Sequence, residues 1–285
     1  MNWTVELFSW SYFFFILVNL GAFFGLYFLF RRRSARAKWW VVFSLLVANF
    51  LLHFLSPLYL GIGFASEYRP GMGYVNRGVD RIFLNNICAV SAVLFPFLFL
   101  SKDRFWRSGM VFVGVLSGIL AMLLPTEALG NQVSTWQQHV NLWRFYIQHA
   151  IIWIAPMLML AFGMHRLRWR DVWISPVYMV LVFCLIVTNS AIRQVLGSTG
   201  NMLNSNNSMQ WRPDEGLRVL FNWLIPDFMT RVPLGPNAGA YAYWPILYLV
   251  PAIFFYLTIF AALTVGGQKL GTRLNKRRIA RGGGP

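Results

Sequence analysis

Two side chains in otherwise apolar stretches of the sequence could together carry out nucleophilic chemistry. Cys88 lies in "LNNICAVSAVLFPFLFL" and His149 lies in "FYIQHAIIWIAPMLML". An imidazole can take the proton of a thiol, and the resulting thiolate can attack an ester carbonyl. A nearby amide or guanidinium can then stabilise the oxyanion of the tetrahedral intermediate. Acyl transfer is therefore a hypothesis, and it depends on a fold that brings these residues to one place.

The composition indicates a polytopic membrane protein. The chain has 285 residues, of which 57% are hydrophobic and only 12% are charged, a mixture too apolar for an ordinary soluble domain. Seven stretches are long and apolar enough to cross the ~30 Å hydrocarbon core of a bilayer as helices. We therefore expect an all-α bundle of about seven transmembrane helices in a single integral membrane domain over residues 1–285. The predicted spans are 8–30, 39–60, 82–100, 108–124, 145–164, 172–191 and 243–267.

The basic residues predict the orientation of this bundle. Of the 25 lysines and arginines, 5 fall in 31–38, 3 in 101–107, 3 in 165–170 and 6 after residue 268, so that 17 share one side. The positive-inside rule makes that side cytoplasmic, with the amino terminus outside and a basic cytoplasmic tail over 268–285. Topology then explains the net charge of +16, and nucleic acid is not an expected partner.

Two external loops are long enough to need an interpretation. The glycine-rich residues 61–80 predict tight turns, and no chemistry is assigned to them. Residues 192–242 form the largest external region, and its "PDEGLRVLFNWL" at 213–224 has a favourable helix start followed by apolar residues at helical spacing. This pattern predicts a short helix lying at the outer interface of the membrane.

With this topology, polar residues of four predicted spans fall at one depth near the external side. Arg81, Asn85 and Cys88 are spaced i, i+4 and i+7, which predicts one shared helix face. Because an unpartnered polar group in hydrocarbon costs several kcal/mol, a common level on four helices indicates one external-facing pocket inside the bundle. The residues predicted at this level are His53, Arg81, Asn85, Asn86, Cys88, Gln148, His149, Thr188, Asn189 and Ser190.

Within that pocket the hypothesis gives each residue type a role. Cys88 is the candidate nucleophile and His149 the general base, because burial favours the neutral imidazole that can accept a proton. Arg81, Asn85 and Asn86 are candidates for holding an oxyanion or a phosphate, and Gln148 and Asn189 for the same contacts or for orienting the imidazole. Cys184, which has no polar companions, receives no role, and neither do His139 and His165, which are expected in loops.

Other readings of the same residues remain open. His149 could be a packing residue hydrogen-bonded to a neighbouring helix, and Cys88 could be a small buried hydrophobe. Cys88, His149 and His53 could also make three metal ligands, although no Cys-x-x-Cys or His-x-x-x-His spacing occurs. The lack of aspartate and glutamate in the interior of the spans argues against a proton-coupled transporter. We expect no cofactor.

The two motifs resemble a known family. "LNNIC" followed by an apolar run, and "FYIQHAIIWIAPML" a helix pair later, are similar to the transmembrane protein 164 family and the related bacterial YwaF-like integral membrane proteins. In that family a cysteine in one span and a histidine in Tyr-x-x-His, followed by an apolar run and a proline, are the proposed catalytic pair. The matching positions here are Cys88, His149 and Pro156, and the asparagine before the cysteine is Asn85 or Asn86.

The resemblance implies a seven-span fold and, from the animal members, acyltransferase activity that remodels phospholipids. We expect a membrane-embedded lipid acyltransferase, transacylase or lipid hydrolase whose partners are membrane phospholipids or lysolipids. Its location would be the plasma membrane in a bacterium or the endoplasmic reticulum in a eukaryote. The alternative is a non-catalytic membrane protein, either a partner-binding subunit or a carrier of a small lipid-like molecule, in which the polar cluster is a binding site or a structural network.

Overall fold

The structure is a computed structural model that describes residues 3–61, 66–69, 73–76, 78, 82–125, 132–133, 135–195, 223–224 and 249–280. These residues form a helical bundle with two small strand pairs. The helices are α1 (Trp10–Phe30), α2 (Ala35–Phe54), the single turn α3 (Ser56–Tyr59), α4 (Ile87–Leu100), α5 (Arg104–Leu123), α6 (Trp136–Ala161), α7 (Ile174–Val195) and α8 (Val250–Ala280). The strands are β1 (Trp3–Thr4), β2 (Ser66–Arg69), β3 (Gly73–Asn76) and β4 (Gln132–Val133).

The helical membrane architecture is confirmed, with one difference in the number of full-length spans. In the described part of the chain, six helices are long and apolar enough to cross a bilayer, namely α1, α2, α5, α6, α7 and α8. The predicted third span is the shorter helix α4, whose 14 residues rise about 21 Å, less than the ~30 Å of hydrocarbon. The protein is an integral multi-pass membrane protein.

Helix α4 is short because its amino terminus is capped. Asn86 has an extended backbone, and its side-chain oxygen accepts a hydrogen bond from the backbone nitrogen of Ala89 at 2.7 Å. Asparagine is among the favoured residues at this position because it satisfies an orphan N–H group. Asn85 precedes the cap and is not helical. The prediction that Asn85 shares a helix face with Cys88 is therefore wrong, and the third residue of that prediction, Arg81, lies outside the described residues.

Helix α6 begins nine residues earlier than the predicted start of the fifth span at residue 145. Thr135 and Gln138 form a capping box, in which each side chain accepts a hydrogen bond from the other residue's backbone nitrogen. The helix consequently includes His139, whose predicted location in a loop is wrong. His165 does lie outside the helices, between α6 and the 3-10 turn Trp169–Asp171.

The strand pairs lie outside the helices. Strand β1 pairs antiparallel with β4, so the amino-terminal segment and the segment before α6 lie at the same end of the bundle. Strands β2 and β3 form a hairpin within the loop for which only tight turns were predicted. We call the end at which α6 begins the outer end and the opposite end the inner end. The side of the membrane that each faces stays a prediction.

Helix α6 lies at the centre of the bundle and contacts α1, α2, α4 and α5. Its close approach to α5 requires glycine at two positions. A Cβ atom on Gly118 would lie 2.9 Å from the carbonyl oxygen of His149, and one on Gly114 would lie 2.8 Å from that of Ile152. Small residues at such interfaces let helix backbones approach closely in membranes.

Parts of several predictions lie outside the described residues. These are the interfacial helix at 213–224 apart from residues 223–224, most of the 192–242 region, the first residues of the predicted 243–267 span, and the last five residues of the predicted tail. Helix α8 continues through Ala280, so most of the predicted basic tail is helical.

Candidate functional site

Cys88 is the second residue of helix α4 and its side chain is half-buried. A helix amino terminus carries a partial positive charge from its backbone N–H groups, which stabilises negative charge placed beside it. The first intrahelical bond of α4 runs from the nitrogen of Val90 to the carbonyl of Asn86 at 3.0 Å. The position of Cys88 therefore suits a nucleophile better than the middle of an apolar span would.

His149 lies in α6 with a half-buried side chain, and its hydrogen bonding defines its tautomer. The ring nitrogen Nδ1 lies 2.6 Å from the backbone carbonyl oxygen of Phe145. Because a carbonyl oxygen can only accept, Nδ1 must carry the proton, and the neutral ring then has its lone pair on Nε2. The arrangement presents Nε2 as the proton acceptor, which is what a general base requires.

Helices α4 and α6 are in contact and run in the same direction, from the outer end to the inner end. Phe95 of α4 and Ile152 of α6 lie at the same level of the bundle, because a Cβ on Gly114 of α5 would meet both the ring of Phe95 and the carbonyl oxygen of Ile152. Cys88 lies about two helical turns from Phe95 toward the outer end, and His149 lies about one turn from Ile152 in the same direction. A pair that exchanges a proton must lie on neighbouring helices, and α4 and α6 are neighbours. That Cys88 and His149 act together stays a prediction.

Gln148 takes part in a different contact from the one predicted. Its side chain is buried, and its amide oxygen accepts a hydrogen bond from Nη1 of Arg144 at 2.6 Å. The guanidinium also donates from Nε and Nη2 to the side-chain oxygen of Asn141, at 3.1 and 3.0 Å. The carbonyl of Phe145 therefore orients the imidazole, and the Gln148 amide oxygen holds Arg144 in place.

The predicted oxyanion candidates are placed differently from one another. Asn86 uses its side-chain oxygen for the cap, which leaves its carboxamide nitrogen to donate, and Asn85 is half-buried just before it. Asn189 lies near the end of α7, and its buried side-chain nitrogen has no hydrogen-bond partner among the described residues. Arg81 lies outside the described residues.

His53 is buried near the end of α2 and serves to hold the segment before α4. Its Nε2 lies 3.1 Å from the carbonyl oxygen of Ile82 and therefore donates to it. Across the described ranges of the chain, no three side chains of the metal-binding types are gathered into one group. This finding gives no support to the alternative in which Cys88, His149 and His53 bind a metal.

Three residues at the outer end were missed by the sequence analysis. Asn49 of α2 and Ser91 of α4 are each only 1% exposed, and their side-chain oxygens have no hydrogen-bond partner in the described part of the chain. Ser91 lies one turn from Cys88, which a search for polar residues at i+3 would have found. Arg144 was missed because the predicted span began at the next residue.

A second group of titratable residues lies at the inner end, where no role was predicted. Nε2 of His165 lies 2.9 Å from the hydroxyl of Ser108, and both side chains are buried. Burial, with Arg104 nearby, lowers the pKa of His165 to about 4, so the imidazole is neutral at physiological pH. Arg104 forms an ion pair with the buried Asp171, which also accepts from the backbone nitrogen of Arg168.

The fold and these placements define a polytopic helical membrane protein with a thiol at a helix amino terminus and an imidazole on a neighbouring helix. Comparison with known sequences adds the family. Residues 7–264 match the TMEM164 family, and the chain belongs to that family. No curated protein and no solved structure matches the chain.

Proposed function

We propose that this protein is a membrane-embedded lipid acyltransferase, or transacylase, with Cys88 as nucleophile and His149 as general base. The observation that carries the proposal is the hydrogen bond from Nδ1 of His149 to the carbonyl of Phe145, because it puts the ring proton on Nδ1 and the lone pair on Nε2. The position of Cys88 in the first turn of α4 supports the same assignment.

In the first half-reaction, Nε2 of His149 takes the thiol proton and the sulfur attacks the ester carbonyl of a phospholipid. The tetrahedral intermediate collapses with cleavage of the carbon–oxygen bond, and the imidazolium returns its proton to the departing lysolipid oxygen. The acyl group remains on Cys88 as a thioester. The amino terminus of α4 and the carboxamides of Asn85 and Asn86 are the proposed partners of the oxyanion.

In the second half-reaction, a hydroxyl group of a lysolipid attacks the thioester while His149 accepts its proton. The carbon–sulfur bond breaks, the new ester leaves, and the thiolate takes the proton back from the imidazolium. Water in place of the lysolipid would make the same enzyme a lipid hydrolase. The cycle consumes no cofactor, and its partners are phospholipids and lysolipids of the membrane.

The reaction would take place near the external leaflet if the amino terminus lies outside, as the basic residues predict. The host membrane would be the plasma membrane in a bacterium and the endoplasmic reticulum in a eukaryote. The buried oxygens of Asn49 and Ser91, which have no partner among the described residues, are acceptors that could receive a hydroxyl group at this end of the bundle.

The test is lipid turnover by purified protein in liposomes that contain a phosphatidylcholine with an alkyne-tagged acyl chain and an unlabelled lysophospholipid. Wild-type protein should transfer the tag to the lysophospholipid or release it as a fatty acid, and Cys88→Ser should do neither. Cys184→Ser is the matched control, because Cys184 is an exposed thiol on α7 and should be dispensable. Equal turnover by wild type and Cys88→Ser would overturn the proposal.

A further inference from the structure

Four basic side chains surround Trp169 at the inner end of the bundle. Arg168 and Arg170 flank this tryptophan in the chain, at the 3-10 turn. Lys269 of α8 lies over the indole ring, with its Nζ 5.2 Å from the ring centroid. Arg273 follows Lys269 by four residues, which places it on the same face of α8. All four basic residues are exposed, and we call them the basic face.

The 3-10 turn is held against α8, so the basic face is one surface although it comes from two parts of the chain. The backbone nitrogen of Leu167 donates to the side-chain oxygen of Gln268 at 3.0 Å. One helical turn does not separate this bond from the Lys269 contact, because Gln268 and Lys269 are adjacent. A Cβ on Gly266 would also lie 3.9 Å from the ring of Trp169.

The charge of the basic face is not neutralised within the described part of the chain. The described residues of the inner end include two acidic side chains, Asp103 and Asp171. Asp171 is buried and forms its ion pair with Arg104. Asp103 caps α5 by accepting from the backbone nitrogen of Phe105 at 2.6 Å. The four exposed cations are therefore available to an external anion.

The basic face lies at the height of lipid headgroups. Lys269 is 19 residues from the start of α8 at Val250, a rise of about 29 Å, which matches the ~30 Å hydrocarbon core of a bilayer. Trp169 is 53% exposed, and tryptophan is enriched where hydrocarbon meets the headgroups. The phosphates of the adjoining leaflet are consequently the anions nearest to the basic face.

The charge also indicates which headgroups fit. Phosphate oxygens accept paired hydrogen bonds from a guanidinium, and an ammonium attracts them as a point charge. The choline group of phosphatidylcholine carries a positive charge that four like charges repel, whereas a headgroup with a net negative charge has no such group. The positive-inside rule accounts for cations at this end, but it does not require four of them on one face beside an exposed tryptophan.

We propose that the basic face binds glycerophospholipids with a net negative charge, taken from the leaflet that adjoins the inner end. The phosphate lies between the cations of the 3-10 turn and those of α8, and the glycerol region packs against Trp169. This surface is at the opposite end of the bundle from Cys88 and His149. The proposal does not rest on acyl transfer.

The test is photocross-linking of the full chain in phosphatidylcholine nanodiscs that contain a trace of phosphatidylglycerol with a diazirine close to the glycerol on one acyl chain. Phosphatidylcholine with the same diazirine chain is the comparison probe. Labelled positions are mapped after chymotryptic digestion, because trypsin would cut differently in variants that lack arginine or lysine. Wild-type protein should be labelled within 165–173 and 266–273 by the phosphatidylglycerol probe, and at least about tenfold less by the phosphatidylcholine probe.

Two variants remove charge from the basic face. Replacement of all four residues by glutamine should reduce phosphatidylglycerol labelling of these segments more than tenfold, since each cation at an anionic surface contributes a factor of about five. Arg170→Gln combined with Arg273→Gln keeps the contact between Lys269 and Trp169, and it should reduce labelling about tenfold. This double variant covers the case in which the fourfold variant does not fold.

Arg32→Gln combined with Arg33→Gln is the matched control. It removes the same number of exposed charges from the inner end, in the connection between α1 and α2, and labelling within 165–173 and 266–273 should change less than twofold. Cys88→Ala should be labelled like wild type even where lipid turnover is lost, which separates this proposal from the proposed function.

Three results would overturn the proposal. The first is equal labelling of the two segments by both probes in wild type, and the second is wild-type labelling of a folded double or fourfold variant. The third is a loss of labelling in the Arg32 and Arg33 control as large as that in the double variant, which would mean that overall charge attracts the lipid and the basic face does not.

Discussion

The polar residues at the two ends of the bundle have different kinds of hydrogen-bond and ion-pair partners. At the inner end, Arg104 and Asp171 neutralise each other, and His165 of the segment after α6 pairs with Ser108 of α5. The side-chain oxygen of Gln268 in α8 also accepts from the backbone nitrogen of Leu167 at 3.0 Å. These contacts connect three parts of the chain, namely α5, α8 and the segment that follows α6. The inner network therefore holds separate elements together.

At the outer end, two of the candidate polar side chains bond to groups of their own helix, whereas His53 of α2 donates to the carbonyl of Ile82. His149 is held by the carbonyl of Phe145, and Arg144 by Asn141 and Gln148, all within α6. Such bonds orient a side chain but do little to join one helix to another. The inner contacts join separate elements, which suits them to stability, while a role for the outer residues in binding a ligand stays a prediction. Each of the following predictions tests one of the two ends.

The largest effect on stability is expected from the inner ion pair. Asp171→Asn removes the charge that faces Arg104 while keeping the size of the side chain, and the Asp171 side chain is only 2% exposed. Loss of one member of a buried ion pair leaves the other uncompensated, so the free energy of unfolding should fall by about 3 kcal/mol. The exposed helix cap Asp103, changed to Asn, should cost no more than about 1 kcal/mol. Unfolding by sodium dodecyl sulfate in mixed micelles measures both, and equal losses would contradict the assignment.

The next effect concerns pH and His165. Its pKa is lowered from 6.5 to about 4 in the folded protein, so the unfolded chain binds more protons between these values. The free energy of unfolding should therefore decrease as the pH falls from about 6.5 toward 4. His165→Gln should make this decrease smaller. Identical pH profiles for wild type and His165→Gln would exclude a contribution from this histidine.

A smaller effect tests the helix contact that supports His149. Gly118→Ala would place a Cβ 2.9 Å from the carbonyl oxygen of His149, so α5 and α6 must move apart, at a cost of about 1–3 kcal/mol. Gly25→Ala in α1 is the control, because nothing lies within 4 Å of the added atom. That variant should be neutral or more stable by up to about 1 kcal/mol. Stabilisation by Gly118→Ala would show that the two helices are less closely packed than described.

Hydrophobic length was enough to predict the helical membrane fold, because spans follow from apolar runs of about 20 residues. Hydrophobic length did not predict the helix boundaries that depend on a capping residue. The Asn86 cap makes α4 begin later than the predicted span, and the Thr135–Gln138 capping box makes α6 begin earlier, within a polar stretch. The second signal was readable as Thr-x-x-Gln, but a search based on apolar content does not detect it.

The residue types of the candidate site come from the sequence and their roles stay predictions, whereas their contacts could be read only from the structure. The depth argument placed a thiol and an imidazole on helices that are in contact. The group that orients the imidazole could not be predicted, because it is the backbone carbonyl of Phe145 and carries no signal in residue identity. Arg144 was equally hidden, since an arginine at the predicted edge of a span looks like an ordinary interfacial charge.

The most direct test of the proposed mechanism is acyl-thioester formation at Cys88. Purified protein is incubated with alkyne-tagged phosphatidylcholine without an acceptor, and the hydroxylamine-sensitive adduct is measured by intact mass and located by peptide mapping. Wild-type protein should carry the acyl group on Cys88, and His149→Gln should form it about 10²–10⁴ times more slowly while remaining folded. His139→Gln, at a half-buried position near the start of the same helix, should keep the wild-type rate. A thioester that forms at the same rate in folded His149→Gln, or on Cys184 instead of Cys88, would contradict the mechanism.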